Sequence, residues 1–353
     1  METISVHASI DYNILIEPGI LSQCGFWAAP IFAPHAKAAI ITDDNVAPLY
    51  LNRVENSLRE AGFSTAVHVF PHGEDSKCQE TLFDIYTFLT ENQVTRTDFI
   101  VALGGGVVGD IAGFAAATYL RGIAFMQLPT TFLAAIDSSV GGKTAINIPA
   151  GKNLVGAFHQ PSLVLCDTST FATLTPEIFA DGSAEMIKYG LIYSAPLFEE
   201  IEQGDITKNL ESIVAQCVAI KKEVVQQDER DTGLRMILNY GHTLGHAIEK
   251  YTSHQITHGH AVAIGMVLAA KLGEKLGCGN PELTQRIIRC VQRYGLPASF
   301  AGSTADLADL VLTDKKRAGG NMRFIFVPCP GKAEIVPLAV EELRRLLLEE
   351  DMV

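Results

Sequence analysis

The sequence is short of positive charge: Lys and Arg number 27 against 40 Asp and Glu, a formal net charge of −13. Nucleic acid and anionic membranes both require a basic footprint, so neither is expected as the main partner. A local cluster of cations can still serve a small anionic substrate. Paired cysteines are missing too. Cys24, Cys78, Cys166, Cys217, Cys278, Cys290 and Cys329 are odd in number, scattered, and contain no C-x-x-C pair. They read as reduced thiols, not as a disulfide framework or a thiolate metal site. The opening METISVHASIDYN has neither a basic n-region nor an apolar h-region, so no signal peptide is expected and the cytoplasm is the expected compartment. The nearest approach to a membrane span is 99–120, but Asp110 and five glycines interrupt it. A buried strand, a turn and a buried helix fit it better. Apolar residues are not scarce: 48% of 353 residues are hydrophobic and 19% charged, enough to fill the cores of two domains or one large one.

The first half alternates short apolar runs with amphipathic segments. Strands are expected at 37–42, 64–70, 99–103, 124–128 and 163–167, with helices at 48–61, 77–92 and 110–119. Val-, Ile- and Ala-rich strands separated by helices imply a parallel sheet covered on both faces. After Leu174-Thr175-Pro176 the pattern turns helical, with helices expected at 201–225, 238–251 and 260–276. A short strand is expected at 323–327 and a closing helix at 340–350.

The run 99–103 leads directly into Gly104-Gly105-Gly106-Val107-Val108-Gly109-Asp110, a G-x-G-x-x-G between a strand and a helix. Such glycines permit a tight turn and let backbone N–H groups approach a pyrophosphate at a helix N-terminus. No acidic residue follows about 20 positions on; Asp43 and Glu74, upstream, are the acidic candidates. A turn needed only for close packing is the competing reading. Half of the ten histidines lie between 242 and 260. His242 and His246 are spaced i, i+4, which puts both on one helix face. Imidazole and carboxylate donors suit zinc and its neighbours, and Glu185 is a candidate third ligand; the bland alternative is helix capping. Thr130-Thr131, Asp137-Ser138-Ser139-Val140-Gly141-Gly142-Lys143-Thr144 and Gly151-Lys152-Asn153 concentrate polar residues beside core-like ones. Ser-Val-Gly-Gly-Lys-Thr is not a Walker A loop, because neither Ile136 nor Asp137 supplies its first glycine. Lysines there suit phosphate or carboxylate.

Taken in order, Gly-Gly-Gly-x-x-Gly-Asp, Pro-Thr-Thr-x-Leu, Asp-Ser-Ser-Val-Gly-Gly-Lys-Thr, Gly-Lys-Asn, Ala-Glu-x-Ile-Lys-Tyr-Gly, Gly-Leu-Arg-x-x-Leu-Asn-x-Gly-His-Thr-x-Gly-His-Ala-Ile-Glu and Asp-Lys-Lys resemble the 3-dehydroquinate synthase family over essentially the whole chain. The resemblance implies an α/β fold: a Rossmann-like NAD-binding domain with a mostly parallel sheet at 1–176, then a mostly α-helical metal- and substrate-binding domain at 177–353. It implies conversion of 3-deoxy-D-arabino-heptulosonate 7-phosphate, a phosphorylated sugar acid, into 3-dehydroquinate and phosphate. Transient oxidation by NAD+, phosphate elimination, return of the hydride and an intramolecular aldol step make up the sequence. One divalent metal, Zn2+ or Co2+, and a homodimer are implied as well.

Residue by residue, the resemblance makes Glu185, His242 and His258 the metal ligands and His246 a catalytic histidine. It gathers Asp137, Lys143, Lys152, Asn153, Lys188, Lys221, Arg235, Asn239 and Lys315 around the substrate, with Arg121 reaching from a partner subunit. NAD+ contacts fall on Asp43, Glu74, Lys77, Gly106, Val107, Val108, Gly109, Asp110, Thr130, Thr131, Lys143, Lys152, Thr170, Phe171, Ala172 and Thr173. Lys143, Lys152, Arg235 and Lys315 are expected to converge on one cleft. Three positions depart from the family pattern: His260, a second candidate ligand, and Asp231 both stand where Glu is usual, and Ala172 replaces a longer residue. Cyclases of sedoheptulose 7-phosphate share the scaffold, but Lys315 and Asn239 favour the heptulosonate substrate. A metal- and NAD-dependent alcohol dehydrogenase is the alternative from another class.

Overall fold

The computed structural model describes residues 1–253, 255–315 and 321–349. The chain divides into two compact units, Met1–Leu174 with Leu210–Arg230, and Thr175–Asn209 with Asp231–Val353.

The first unit contains β1 (Glu2–Val6), β2 (Tyr12–Ile16), α1 (Cys24–Ala28), β3 (Lys37–Asp43), α2 (Asn52–Glu60), β4 (Ser64–Phe70), α3 (Gln79–Glu91), β5 (Phe99–Gly104), α4 (Gly106–Thr118), β6 (Ala124–Pro129), β7 (Lys143–Ile148), β8 (Gly151–Phe158) and β9 (Leu163–Cys166). Seven strands form one sheet in the order β1-β2-β9-β6-β5-β3-β4, parallel from β2 to β4 with β1 antiparallel at the edge. β5 and β9 are buried at every position, as parallel strands covered on both faces must be. Alternate residues feed two cores. Ile40, Val101, Leu103, Met126 and Leu165 face α1 and α2, while Ile41, Ile100, Ala102 and Phe125 face α3 and α4. Two antiparallel hairpins escaped the sequence reading. β1 is largely exposed and β8 runs exposed through Asn153–Gly156, so neither strand carries an apolar signature, while the buried run of β2, Ile14–Ile16, is short.

α5 (Pro176–Tyr193) and α6 (Ala195–Gln203) open the second unit. The helix expected over 201–225 is in fact two. α6 stops at Gly204, which is left-handed at φ 110°, and α7 (Leu210–Gln227) begins afterwards. α7 also corrects the contiguous 177–353 domain, because it belongs to the first unit. Thr168 donates to Glu211, and Glu229, just past the helix, accepts from Ser9 and Gln160. α8 (His242–Tyr251) starts four residues later than expected because Gly241, at φ 77°, breaks it from the 3-10 turn Leu234–Asn239. α9 (His258–Lys275), α10 (Pro281–Arg293), α11 (Thr304–Lys315), the hairpin β10 (Asn321–Cys329) and β11 (Lys332–Ala339), and α12 (Val340–Leu347) complete the unit. Among the described residues no helix is long and apolar enough to cross a membrane.

Candidate active site

In the first unit the strand order changes direction between β3 and β5. Open α/β sheets bind ligands in the crevice at the carboxyl ends of the strands beside such a switch point. β3 ends there on Asp43, β5 on Gly104, and α4 starts at Gly106. The N-cap of α4 is Gly105, which has no side chain to take the first N–H groups, so the backbone turns them outward. The glycines divide their work. A Cβ on Gly104 would lie 2.5 Å from Val108 and one on Gly109 2.7 Å from Gln127 Oε1, so these two serve packing. A Cβ on Gly106 meets only Ser138, its Oγ at 3.2 Å, and occupies the approach to the helix terminus. Thr42 Oγ1, Thr130 Oγ1 and Ser138 Oγ are buried hydroxyls with no hydrogen-bond partner among the described residues. Buried polar groups are nearly always satisfied, so these hydroxyls and the turn fit a phosphate-bearing dinucleotide.

Beside this turn Glu74, Lys77 and Asp110 are linked through Asn147 and Asn153. Lys77 Nζ donates to Asp110 Oδ2 at 2.5 Å and to Asn153 Oδ1 at 2.6 Å. Asn147 donates to Glu74 Oε1 at 2.8 Å and accepts from the Asn153 N–H at 2.9 Å. Asn153 sits left-handed at φ 56° to do so. Burial pushes the Asp110 carboxyl up despite the Lys77 ammonium. Asp43 Oδ1 accepts the N–H groups of Asn45 and Val46, and burial raises its carboxyl as well. Thr131 Oγ1 accepts the Ala134 N–H, while Tyr50 OH reaches the Thr170 carbonyl and Thr173 Oγ1. Phe171 turns inward onto Phe132, ring centroids 5.5 Å apart, while Ala172 is exposed. Lys221 Nζ, carried on α7, bonds Asp137 Oδ1 at 2.6 Å and its carbonyl. The backbones at Lys143 and Lys152 are well separated. They stand at opposite ends of the β7–β8 hairpin, paired with Phe158 and near the Ile148–Gly151 turn, about 16 Å apart along the strand. Leu120 and Arg121 are consecutive non-glycine residues with left-handed φ, 51° and 71°, and both are exposed.

The second unit brings Glu185, His242 and His258 together. Glu185 is fully buried, with His242 Nε2 at 3.4 Å and His258 Nε2 at 3.7 Å from its Oε1, and Lys188 Nζ against its Oε2. One ligand atom from each of the three lies within 4.8 Å of the others. The rear of each ring is held. His242 Nδ1 lies 3.1 Å from the Tyr240 carbonyl, and His258 Nδ1 lies 3.3 Å from Glu249 Oε2. A carbonyl only accepts, so Nδ1 of His242 carries the proton and Nε2 turns a lone pair toward Glu185. Two acceptors facing each other at that distance fit a cation between them, with outer partners of the kind that orient metal-bound imidazoles. The electrostatic surroundings point the same way. Burial, reinforced by Lys188, lowers His242 and keeps it neutral. Burial opposes charge on Glu185, yet Lys188 and then His242 hold its carboxyl well below the usual range. For His258 the carboxylates of Glu185 and Glu249 outweigh burial and raise the imidazole.

Close backbone packing sets these positions. A Cβ on Gly265 would fall 2.0 Å from the Gly241 carbonyl, so α8 and α9 touch through glycine. His246 is exposed, its ring 5.5 Å from that of His242 and 5.9 Å from that of His258. It lines a cavity of about 320 Å³ with Asn239, Thr243, Lys250, Arg323 and His242. His260, the second candidate ligand, stands elsewhere: its Nδ1 is 2.8 Å from Asp181 Oδ1. Residues two apart on a helix point to different faces. Arg235 and Lys188 are buried, 2% and 1% exposed. Asp231 takes φ 58°. Lys315 ends α11, and its side chain lies outside the described ones. Sequence reasoning missed Glu249, although it shares a helix face with His242 and His246, and missed Asp181, for which no motif spoke.

A dinucleotide-type turn on a doubly wound sheet and a carboxylate–imidazole group on a helical unit define a class of enzyme, and solved structures of that class resemble this chain throughout. Its fold matches 2-deoxy-scyllo-inosose synthase complexed with carbaglucose-6-phosphate, NAD+ and Co2+ at TM-score 0.88 and 26% identity, over 98% of this chain and 99% of that one. It matches 2-epi-5-epi-valiolone synthase from Streptomyces hygroscopicus subsp. jinggangensis 5008, with NAD+ and Zn2+ bound, at TM-score 0.86 and 25% identity, over 98% of each. In sequence, 3-dehydroquinate synthase of Streptococcus suis strain 05ZYH33 is 45% identical over 343 residues, 95% of this chain and 96% of that protein. The family profiles for the 3-dehydroquinate synthase N-terminal and C-terminal regions match residues 67–181 and 182–317. The chain belongs to the 3-dehydroquinate synthase family and is an enzyme of that type.

Proposed function

We propose that the two sites divide the reaction between them, the glycine turn of the first unit holding NAD+ and the Glu185–His242–His258 group holding one divalent metal, Zn2+ or Co2+. The activity is conversion of 3-deoxy-D-arabino-heptulosonate 7-phosphate to 3-dehydroquinate and phosphate. When bound, NAD+ supplies reversible hydride transfer and the metal a Lewis acid for substrate oxygens. The chain's own groups do the rest. The N–H groups at Gly106, Val107 and Val108 bind pyrophosphate. Glu185, deprotonated by its surroundings, and neutral His242 present ready donors. His246, at the cavity beside both ligand histidines, moves protons to and from the substrate. Lys143, Lys152, Lys188, Lys221, Arg235, Asn239, Lys315, Asp137 and Asn153 bind and orient a substrate carrying both carboxylate and phosphate, anions that an acidic protein attracts only through local cations. Arg121 serves the site of a second copy in a homodimer. A cytoplasmic setting belongs to the same reading, supported by seven cysteines that form no disulfide in the structure.

The observation that carries the proposal is the cation-sized gap between Glu185 Oε1 and two imidazole nitrogens whose opposite faces are already held. The test is phosphate release from the heptulosonate phosphate with catalytic NAD+. Phosphate should appear with no net NADH, because the hydride returns within each turnover. NADH accumulating in proportion to product would instead establish the alcohol dehydrogenase reading.

A further inference from the structure

We infer that Asp181 is a positioning residue for the metal group: it caps α9 from a neighbouring helix and thereby sets where His258 stands against Glu185. The inference rests on the reading of Glu185, His242 and His258 as ligands. The N-cap of α9 is Thr257, whose side chain makes no cap bond of its own. Its hydroxyl donates instead to Asp181 Oδ1 at 2.6 Å, and the same oxygen accepts the N–H of His260, the third residue of the helix, at 3.1 Å. An N-cap side chain ordinarily supplies that bond within its own helix; here α5 supplies it. His260 Nδ1 adds a third contact at 2.8 Å, and because a carboxylate only accepts, the ring donates.

Asp181 and Glu185 are i, i+4 on α5 and share a face. One oxygen thus holds the first turn of α9, and one turn further along the same helix the Glu185 carboxylate faces the first residue of that turn. The backbones touch at this point, since a Cβ on Gly259 would lie 2.3 Å from the Asp181 carbonyl. With Glu249 fixing the back of the ring, Asp181 fixes the backbone that carries it.

The test uses the full-length protein and reads Zn2+ affinity by chelator competition and geometry by the visible spectrum of the Co2+ form. Asp181→Ala should weaken Zn2+ binding by roughly 10–100-fold, as outer-shell changes do, and alter the Co2+ bands. Asp181→Asn keeps an oxygen acceptor for Thr257 and the His260 N–H and should stay within about threefold of wild type, allowing for loss of a charge-assisted bond. Should Asp181→Ala not fold, Thr257→Val removes one contact and should give a smaller loss in the same direction. An Asp181→Ala protein with a lowered Tm but unchanged Zn2+ affinity and Co2+ spectrum overturns the inference and leaves Asp181 a structural cap. Glu185→Gln separates the two levels: Zn2+ bound as in wild type by that variant defeats the metal reading itself.

Discussion

The glycine turn of the first unit and the histidine group of the second are built in opposite ways. At the turn the groups on offer are backbone N–H, the side chains are absent at Gly104, Gly105 and Gly106, and the nearby charges are already paired, Lys77 with Asp110 and Lys221 with Asp137. In the histidine group the atoms on offer are on side chains, and every one is oriented by a partner behind it. A backbone site tolerates change in charge and fails on bulk. A side-chain site tolerates neither the loss of a donor nor a change in its protonation.

Four experiments sharpen or break this contrast, the largest effect first. Glu185→Gln and His258→Ala should each lower metal affinity by more than the roughly 10–100-fold of an outer-shell change, while His260→Ala retains metal and NAD+ affinity stays unchanged in all three. Metal analysis showing loss in His260→Ala and retention in His258→Ala would reverse the ligand assignment. Next, Arg235→Ala removes a buried guanidinium and should cost on the order of tenfold or more in kcat/KM. Arg235→Lys should restore only part, because an ammonium does not hold a carboxylate bidentately; full restoration would make the position a simple point charge. Gly106→Val should weaken NAD+ binding about tenfold by placing a branched side chain at the helix terminus, with Zn2+ affinity untouched. Equal losses of both ligands would show that the two sites are not separately built.

The smallest effect is a pH slope. The carboxylates of Glu185 and Glu249 raise His258 against burial, so near neutrality the metal must displace its proton. Apparent Zn2+ affinity should therefore fall as pH falls, by about threefold for each half unit. NAD+ affinity, held by N–H groups that do not titrate, should stay flat over the same interval. A flat metal profile measured by chelator competition would mean that His258 binds from a neutral state.

The legibility of the two regions differs in the same sense. The strand, turn and helix around Gly104–Gly109 could be read because a local pattern is both the signal and the structure. His242 and His246 could be read from their i, i+4 spacing. Their partners could not: Tyr240 acts through its carbonyl, which leaves no trace in residue type, and Asp181 acts across two helices 76 positions apart, from Asp181 to Thr257. β1 and β8 were missed because exposed strands lack the apolar run that marked β5, and β2 because its buried run, Ile14–Ile16, is only three residues long.

By itself the sequence determined the alternating α/β first half, the helical second half, the glycine turn and the residue types of the metal group, since each is encoded in neighbours or in short periods along the chain. Only the tertiary structure decided that α7 returns to the first unit, that His258 and not His260 meets Glu185, and that Lys143 and Lys152 stand apart on one hairpin. Those outcomes depend on which helix faces meet and on where glycine lets two backbones touch, as Gly259 does at the Asp181 carbonyl and Gly265 at that of Gly241. Such contacts join residues far apart in sequence, and no local pattern of residue types carries them.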